Sequence, residues 1–139
     1  MAAFNKFNAF VADVASKVHN LGSDTLKVML SNTAPVATNA VKTDITEISA
    51  GNGYTAGGTQ ATLASDGQSG GTYTLKLNNV TFTASAGAIG PFRYCVLYNS
   101  TPAAGNLIGW YDYGTALTIT AGNSFQVQFD PTNGALQLA

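Results

Sequence analysis

The side chains able to do chemistry are few, and their spacing argues against most reactions. One histidine, His19, and one cysteine, Cys95, stand alone in 139 residues. A zinc site needs three or four ligands of those kinds, so none is expected. Serine or cysteine nucleophiles need a base beside them. His19 falls at the end of a helical pattern, where a histidine near free carbonyls is the ordinary reading. Asp44, Glu47, Asp66 and Asp112 are enough carboxylates for glycosidic chemistry, but nothing in the sequence brings two of them into one apolar cleft. Gly51-Asn52-Gly53-Tyr54-Thr55-Ala56 fits the letters of a dinucleotide fingerprint. That fingerprint works only between a buried strand and a helix N-terminus, and here Ile45 and Ile48 precede it at helical spacing while Gly57-Gly58-Thr59 follow. Trp110, Tyr111 and Tyr113 could stack on a sugar if they shared an exposed sheet face, although aromatics gathered in a central hairpin are more often core. No enzyme activity, cofactor or metal is expected.

The elements that must carry these residues are mostly strands. Ile89 to Tyr113 holds six of the fourteen aromatic residues and the only arginine. Phe92–Tyr98 and Leu107–Tyr113 are apolar on both faces, as central, doubly covered strands are, and the residues from Asn99 to Asn106 between them are turn formers. The two runs are expected to form a hairpin at the middle of a sheet. If Tyr98 sits opposite Leu107, Arg93 sits opposite Asp112, which gives the lone arginine a carboxylate. On that reading Arg93→Ala destabilises the fold by leaving Asp112 unpaired.

Elsewhere, Phe4, Phe7, Phe10, Val11, Val14, Val18 and Leu21 recur at steps of three and four, predicting an amphipathic helix over 3–21 that stops at Gly22. Phe4, Phe7 and Phe10 need an apolar partner, either their own sheet or a sister subunit. Leu26, Val28 and Leu30 alternate as in a half-buried strand. Residues 43–71 are rich in glycine and read as a long loop. From Thr72 onward, alternating runs at Tyr73–Leu77, Val80–Thr83, Leu117–Ile119, Phe125–Phe129 and Leu136–Leu138 predict short antiparallel strands. Asn78-Asn79 fits a tight turn or a bulge equally well. The whole chain, 1–139, is expected to be one domain: a mainly β, antiparallel, jelly-roll-like sandwich over 24–139 with one N-terminal α-helix.

Composition narrows the function class. Charged residues are 9% of the chain against about 25% in ordinary soluble domains. A surface so weakly charged suits a protein held in an assembly. Six scattered basic residues and a net charge of −1 exclude the clustered cationic face that nucleic-acid binding requires. No stretch has the length of a membrane span, and the N-terminus lacks a continuous apolar run of the secretory kind, so a chain made and kept in a cytoplasm until assembly is expected.

Two stretches carry a resemblance: "HNLGSDTLKVMLSNTAP" from His19 to Pro35, and "DITEISAGNGYTAGG" from Asp44 to Gly58. With them the chain resembles the capsid cement, or decoration, proteins of short-tailed bacteriophages. The resemblance implies a virion protein that self-associates as a dimer or trimer, lies on the outer capsid surface and bridges subunits of the major capsid protein. It implies no enzyme activity and no cofactor. On this reading Tyr54, Thr55, Gly57 and Gly58 make capsid contact, and Phe4, Phe7 and Phe10 pack on the sandwich or on a sister subunit. The competing expectation is a carbohydrate- or receptor-binding module of a phage tail or fibre, with Trp110 and Tyr111 exposed.

Overall fold

The computed structural model describes residues 2–139 and is mainly antiparallel β, with strands distributed over several sheets in a sandwich-like arrangement. In chain order the elements are β1 (Phe4–Lys6), α1 (Asn8–Ala15), β2 (Leu26–Ser31), β3 (Thr59–Gln60), β4 (Leu63–Ser69), β5 (Thr72–Leu77), β6 (Val80–Thr83), β7 (Ile89–Asn99), β8 (Leu107–Ile119), β9 (Ser124–Val127) and β10 (Leu136–Leu138). The main sheet runs β1-β8-β7-β2-β3, a second runs β10-β5-β4, and β6 pairs with β9.

The aromatic hairpin is β7 and β8, and it lies at the middle of the main sheet as its two-faced hydrophobicity requires. One face of that sheet presents Val28, Leu30, Cys95, Leu97, Ile108 and Tyr111 to a core completed by Leu75, Val80, Phe82 and Val127 from the other two sheets and by Phe129 just beyond β9. The opposite face presents Met29, Val96, Tyr98 and Leu107 to Phe7 and Ile45. Met29 is therefore fully buried, and β2 is covered on both sides instead of being half exposed.

The N-terminal segment departs from the predicted helix over 3–21. Phe4 to Lys6 pair with β8, Phe4 opposite Tyr111, because Gly109 leaves a slot that the Phe4 ring fills. The helix begins only at Asn8, whose N–H is satisfied by the Ala37 carbonyl. It ends at Ala15, well before Gly22. Lys17 adopts a left-handed conformation, φ 64°, while Val18 N–H bonds to Asp13 O and Lys17 N–H to Val14 O. That pair of bonds is the Schellman stop, here built on lysine instead of glycine. Phe7 and Phe10 are buried within their own chain, against Trp110 (4.6 Å between ring centroids) and His19 (5.3 Å). Each contributes roughly 1.5–3 kcal/mol, and neither ring is left to offer a second subunit.

Residues 43–71 are not one long loop. Their second half forms β3 and β4, the latter a seven-residue strand whose residues are all exposed. Periodicity could not reveal it, because no face of β4 is buried. Asn78-Asn79 is neither a hairpin turn nor a bulge: the chain leaves the β10-β5-β4 sheet there and enters the β6-β9 pair. The Asn78 amide N–H bonds to the Thr62 carbonyl, and the Asn79 side-chain oxygen accepts from Phe129 N–H. Leu117 and Ile119 lie on the distal end of β8, which is one thirteen-residue strand.

Candidate functional site

Residues 47–58 form a surface loop held rigidly from below. Its anchor is Glu47, which bridges to Ser31 beside the end of β2, with the Ile48 N–H on the Leu30 carbonyl. One carboxylate oxygen, Oε2, accepts the Tyr54 hydroxyl at 2.6 Å and the Gly57 N–H at 2.7 Å. The Tyr54 hydroxyl in turn accepts the buried Leu30 N–H at 3.0 Å. From the neighbouring strand Tyr98 donates its hydroxyl to the Gly57 carbonyl at 2.6 Å, and Lys42 Nζ lies 5.7 Å from the centroid of the Tyr98 ring. Burial first, then the Glu47 hydrogen bond, raises the Tyr54 phenol far above its ordinary value, so it remains a neutral donor. Burial, helped by the Glu47 charge, raises Tyr98 as well.

The loop's shape follows from its glycines. Gly51 and Tyr54 exchange backbone hydrogen bonds around Asn52 (φ 57°) and Gly53 (φ 98°), the left-handed pair of a two-residue hairpin turn. Here lies the physical meaning of the Gly-x-Gly letters: a tight turn, with no helix after it. Gly58 passes so close to the Val28 carbonyl that no side chain fits. The result is a turn whose outward atoms belong to Asn52, Gly53, Thr55 and Ala56, all exposed and all uncharged.

This geometry divides the expected contact residues. Thr55 faces outward. Tyr54 does not: it is 3% exposed, its ring lies against Phe82, and both bonding capacities of its hydroxyl are taken internally. Gly57 is buried under Tyr98 and Gly58 is half-buried against β2. Tyr54, Gly57 and Gly58 therefore shape the loop, while Thr55 is its surface.

Arg93 and Asp112 do meet, through Nε–Oδ1 at 2.7 Å and a second nitrogen to Oδ2 at 3.0 Å. Tyr98 lies opposite Leu107 as expected, but one extra residue on β8 shifts the register beyond it, so Asp112 faces Tyr94 and Arg93 reaches it diagonally. The pair is more than one-third exposed on both sides. The expectation that Arg93→Ala destabilises the fold by leaving Asp112 unpaired meets two facts: water reaches Asp112, and its Oδ1 also accepts the Gly114 N–H.

The other chemistry-bearing residues are dispersed. Asp44 accepts the Ala40 and Val41 N–H groups, Asp66 accepts the Tyr73 hydroxyl, and Asp112 is held by Arg93. Among the described residues no three His, Cys, Asp or Glu side chains gather into a metal-holding group. Cys95 is fully buried, and desolvation pushes its thiol up to about 12, a hydrogen bond with Tyr113 acting the other way. A shared aromatic platform does not form either. Tyr111 is 5% exposed and packs into the main core, whereas Trp110 lies on the opposite face of the sheet over Phe7.

One buried polar cluster carries no sequence signal. Asn99, fully buried, donates to Asp24 at 2.6 Å and contacts His19 Nδ1 at 3.0 Å. An amide donor on Nδ1 places the imidazole proton on Nε2. Among the described residues that nitrogen has no hydrogen-bond partner, and it lies 3.9 Å from Asp13. Burial lowers the His19 pKa, against the opposing charges of Asp13 and Asp24. No protein-family model matches this chain, no curated protein matches it, and no solved structure matches it.

Proposed function

We propose that the protein is a structural component of a phage virion that decorates the outer capsid surface and strengthens the shell by bridging major capsid protein subunits. The observation that carries this reading is the rigid turn over 51–58. Two hydrogen bonds hold the Gly57 backbone and a third holds the Tyr54 side chain from beneath, and the turn offers only uncharged atoms outward. A loop ordered in advance loses little entropy on docking against another protein. The second block of resemblance, Asp44 to Gly58, coincides with this turn and its Glu47 anchor. The sparse charge of the chain adds support, because a surface covered by partners has less need of charge to stay dispersed. In keeping with the same resemblance, we take the sandwich to be jelly-roll-like.

Binding the assembled shell better than its free subunits stabilises the shell by mass action, and many copies compound the effect. Occupancy on purified, expanded shells of the encoding phage tests the assignment. Thr55→Asp replaces an outward-facing hydroxyl with a charge and leaves the Glu47 anchor intact, so occupancy should fall while the isolated protein stays folded. Undiminished occupancy sinks the loop as the contact. Binding of the unaltered protein to host cells but not to shells would point instead to a receptor-binding module.

A further inference from the structure

We propose that β4 is a self-association edge: two copies pair their β4 strands antiparallel about a two-fold axis at Gly67, joining two three-stranded sheets into one of six. β4 ends the β10-β5-β4 sheet, and all seven of its residues are exposed. An unpaired edge is normally protected by charged side chains that find no partner, by proline or by a central bulge. β4 has no proline, its one irregularity lies at the start, between Leu63 and Ser65, and its only charge, Asp66, is the one that pairing must accommodate.

The direction of its free backbone groups follows from its neighbours. The Leu75 carbonyl is taken by Ala135 N–H at 2.7 Å, so Leu75 directs its backbone groups toward β10. Thr74 and Lys76 must then face β4, where they meet Gly67 and Ser65. Asp66 and Gln68, which alternate with those, point their N–H and C=O groups off the free edge.

One register makes that edge self-complementary. With Gly67 on the axis, Asp66 lies opposite Gln68 of the second copy and Gln68 opposite its Asp66, each pair exchanging both backbone hydrogen bonds. The side chains agree. Gln68 Oε1 already accepts the Gly71 N–H at 3.2 Å, which leaves its amide N–H groups free to donate, and Asp66 is a carboxylate acceptor. Gly67 meets Gly67 without side-chain conflict. Moving the axis to Asp66 would set two carboxylates face to face, which cross-strand pairing disfavours. A second copy is therefore the occupant that the edge specifies. The inference does not depend on the shell reading and is tested without shells.

Sedimentation velocity of the full chain over a range of concentrations is the measurement. The unaltered protein should show a monomer–dimer equilibrium. Gln68→Glu places like charges opposite each other twice per dimer and should weaken association about ten-fold. Gln68→Lys sets an ammonium opposite Asp66 in the same positions and should associate at least as tightly as the unaltered chain. Both substitutions are at an exposed site, and the opposite response to the two charges separates a specific register from general disruption of the strand. A protein that stays monomeric, or a dimer that responds alike to glutamate and lysine at 68, overturns the proposal.

Discussion

Removing one oxygen atom from the core, by Tyr54→Phe, should cost this protein a large part of its stability. The ring remains packed against Phe82, 5.8 Å between centroids, so no cavity forms and only the hydroxyl is lost. Two bonds disappear with it. The Leu30 N–H is left buried without an acceptor, a penalty of about 1–3 kcal/mol. Glu47 loses one charge-assisted bond but retains the Gly57 N–H, so its share is smaller. The sum is about 2–4 kcal/mol. At this chain length each kcal/mol moves the melting temperature by about 4 °C, giving a fall of roughly 10 °C. Urea denaturation should show the midpoint falling at unchanged slope, since the surface exposed on unfolding is the same. Glu47→Gln should cost less, because an amide oxygen can still accept from both Tyr54 and Gly57. A Tyr54→Phe loss below about 0.5 kcal/mol would refute the view that the hydroxyl is the pin of the 47–58 loop, since it falls short of the least cost of an orphaned buried N–H.

Other consequences follow from the remaining sites. Arg93→Ala should leave the thermal midpoint nearly unchanged by calorimetry, because the pair is solvent-screened and Asp112 keeps the Gly114 N–H. Acid should weaken the fold through His19. Its folded-state pKa lies below the ordinary 6.5 because burial disfavours the charged ring, so the unfolded chain takes up a proton first. Stability is full above about pH 6.5 and falls as the pH drops toward the lower folded-state value; His19→Gln should flatten that slope in denaturation series across the window. Cys95, with its thiol pushed up to about 12 by burial, should resist a disulfide-exchange reagent at about pH 8 in the native protein and react fully in denaturant. Rapid native labelling would contradict its placement in the core.

The sequence by itself determined the centre of the molecule. Runs that are apolar on both faces can be satisfied only by a strand covered on both sides, and β7 and β8 occupy that place. The sparse charge and the lone His19 and Cys95 are likewise legible in composition alone. What periodicity could not supply was anything resting on contacts between distant residues. Phe4 to Lys6 have the spacing of a helix, yet pairing with β8 across the Gly109 slot outweighs local propensity. β4 has no buried face to write a period of two into its sequence, and it is a strand because β5 supplies its hydrogen bonds. A single extra residue on β8 moved Asp112 opposite Tyr94, a shift invisible in composition. Tyr54, in a glycine-rich stretch, looks like a surface aromatic until Leu30 and Glu47 are brought beneath it from other parts of the fold. Hydrophobic pattern is a local property and survives in the sequence. Which polar groups find each other is a property of the folded whole, and it is there that the loop acquired its rigidity and β4 its free edge.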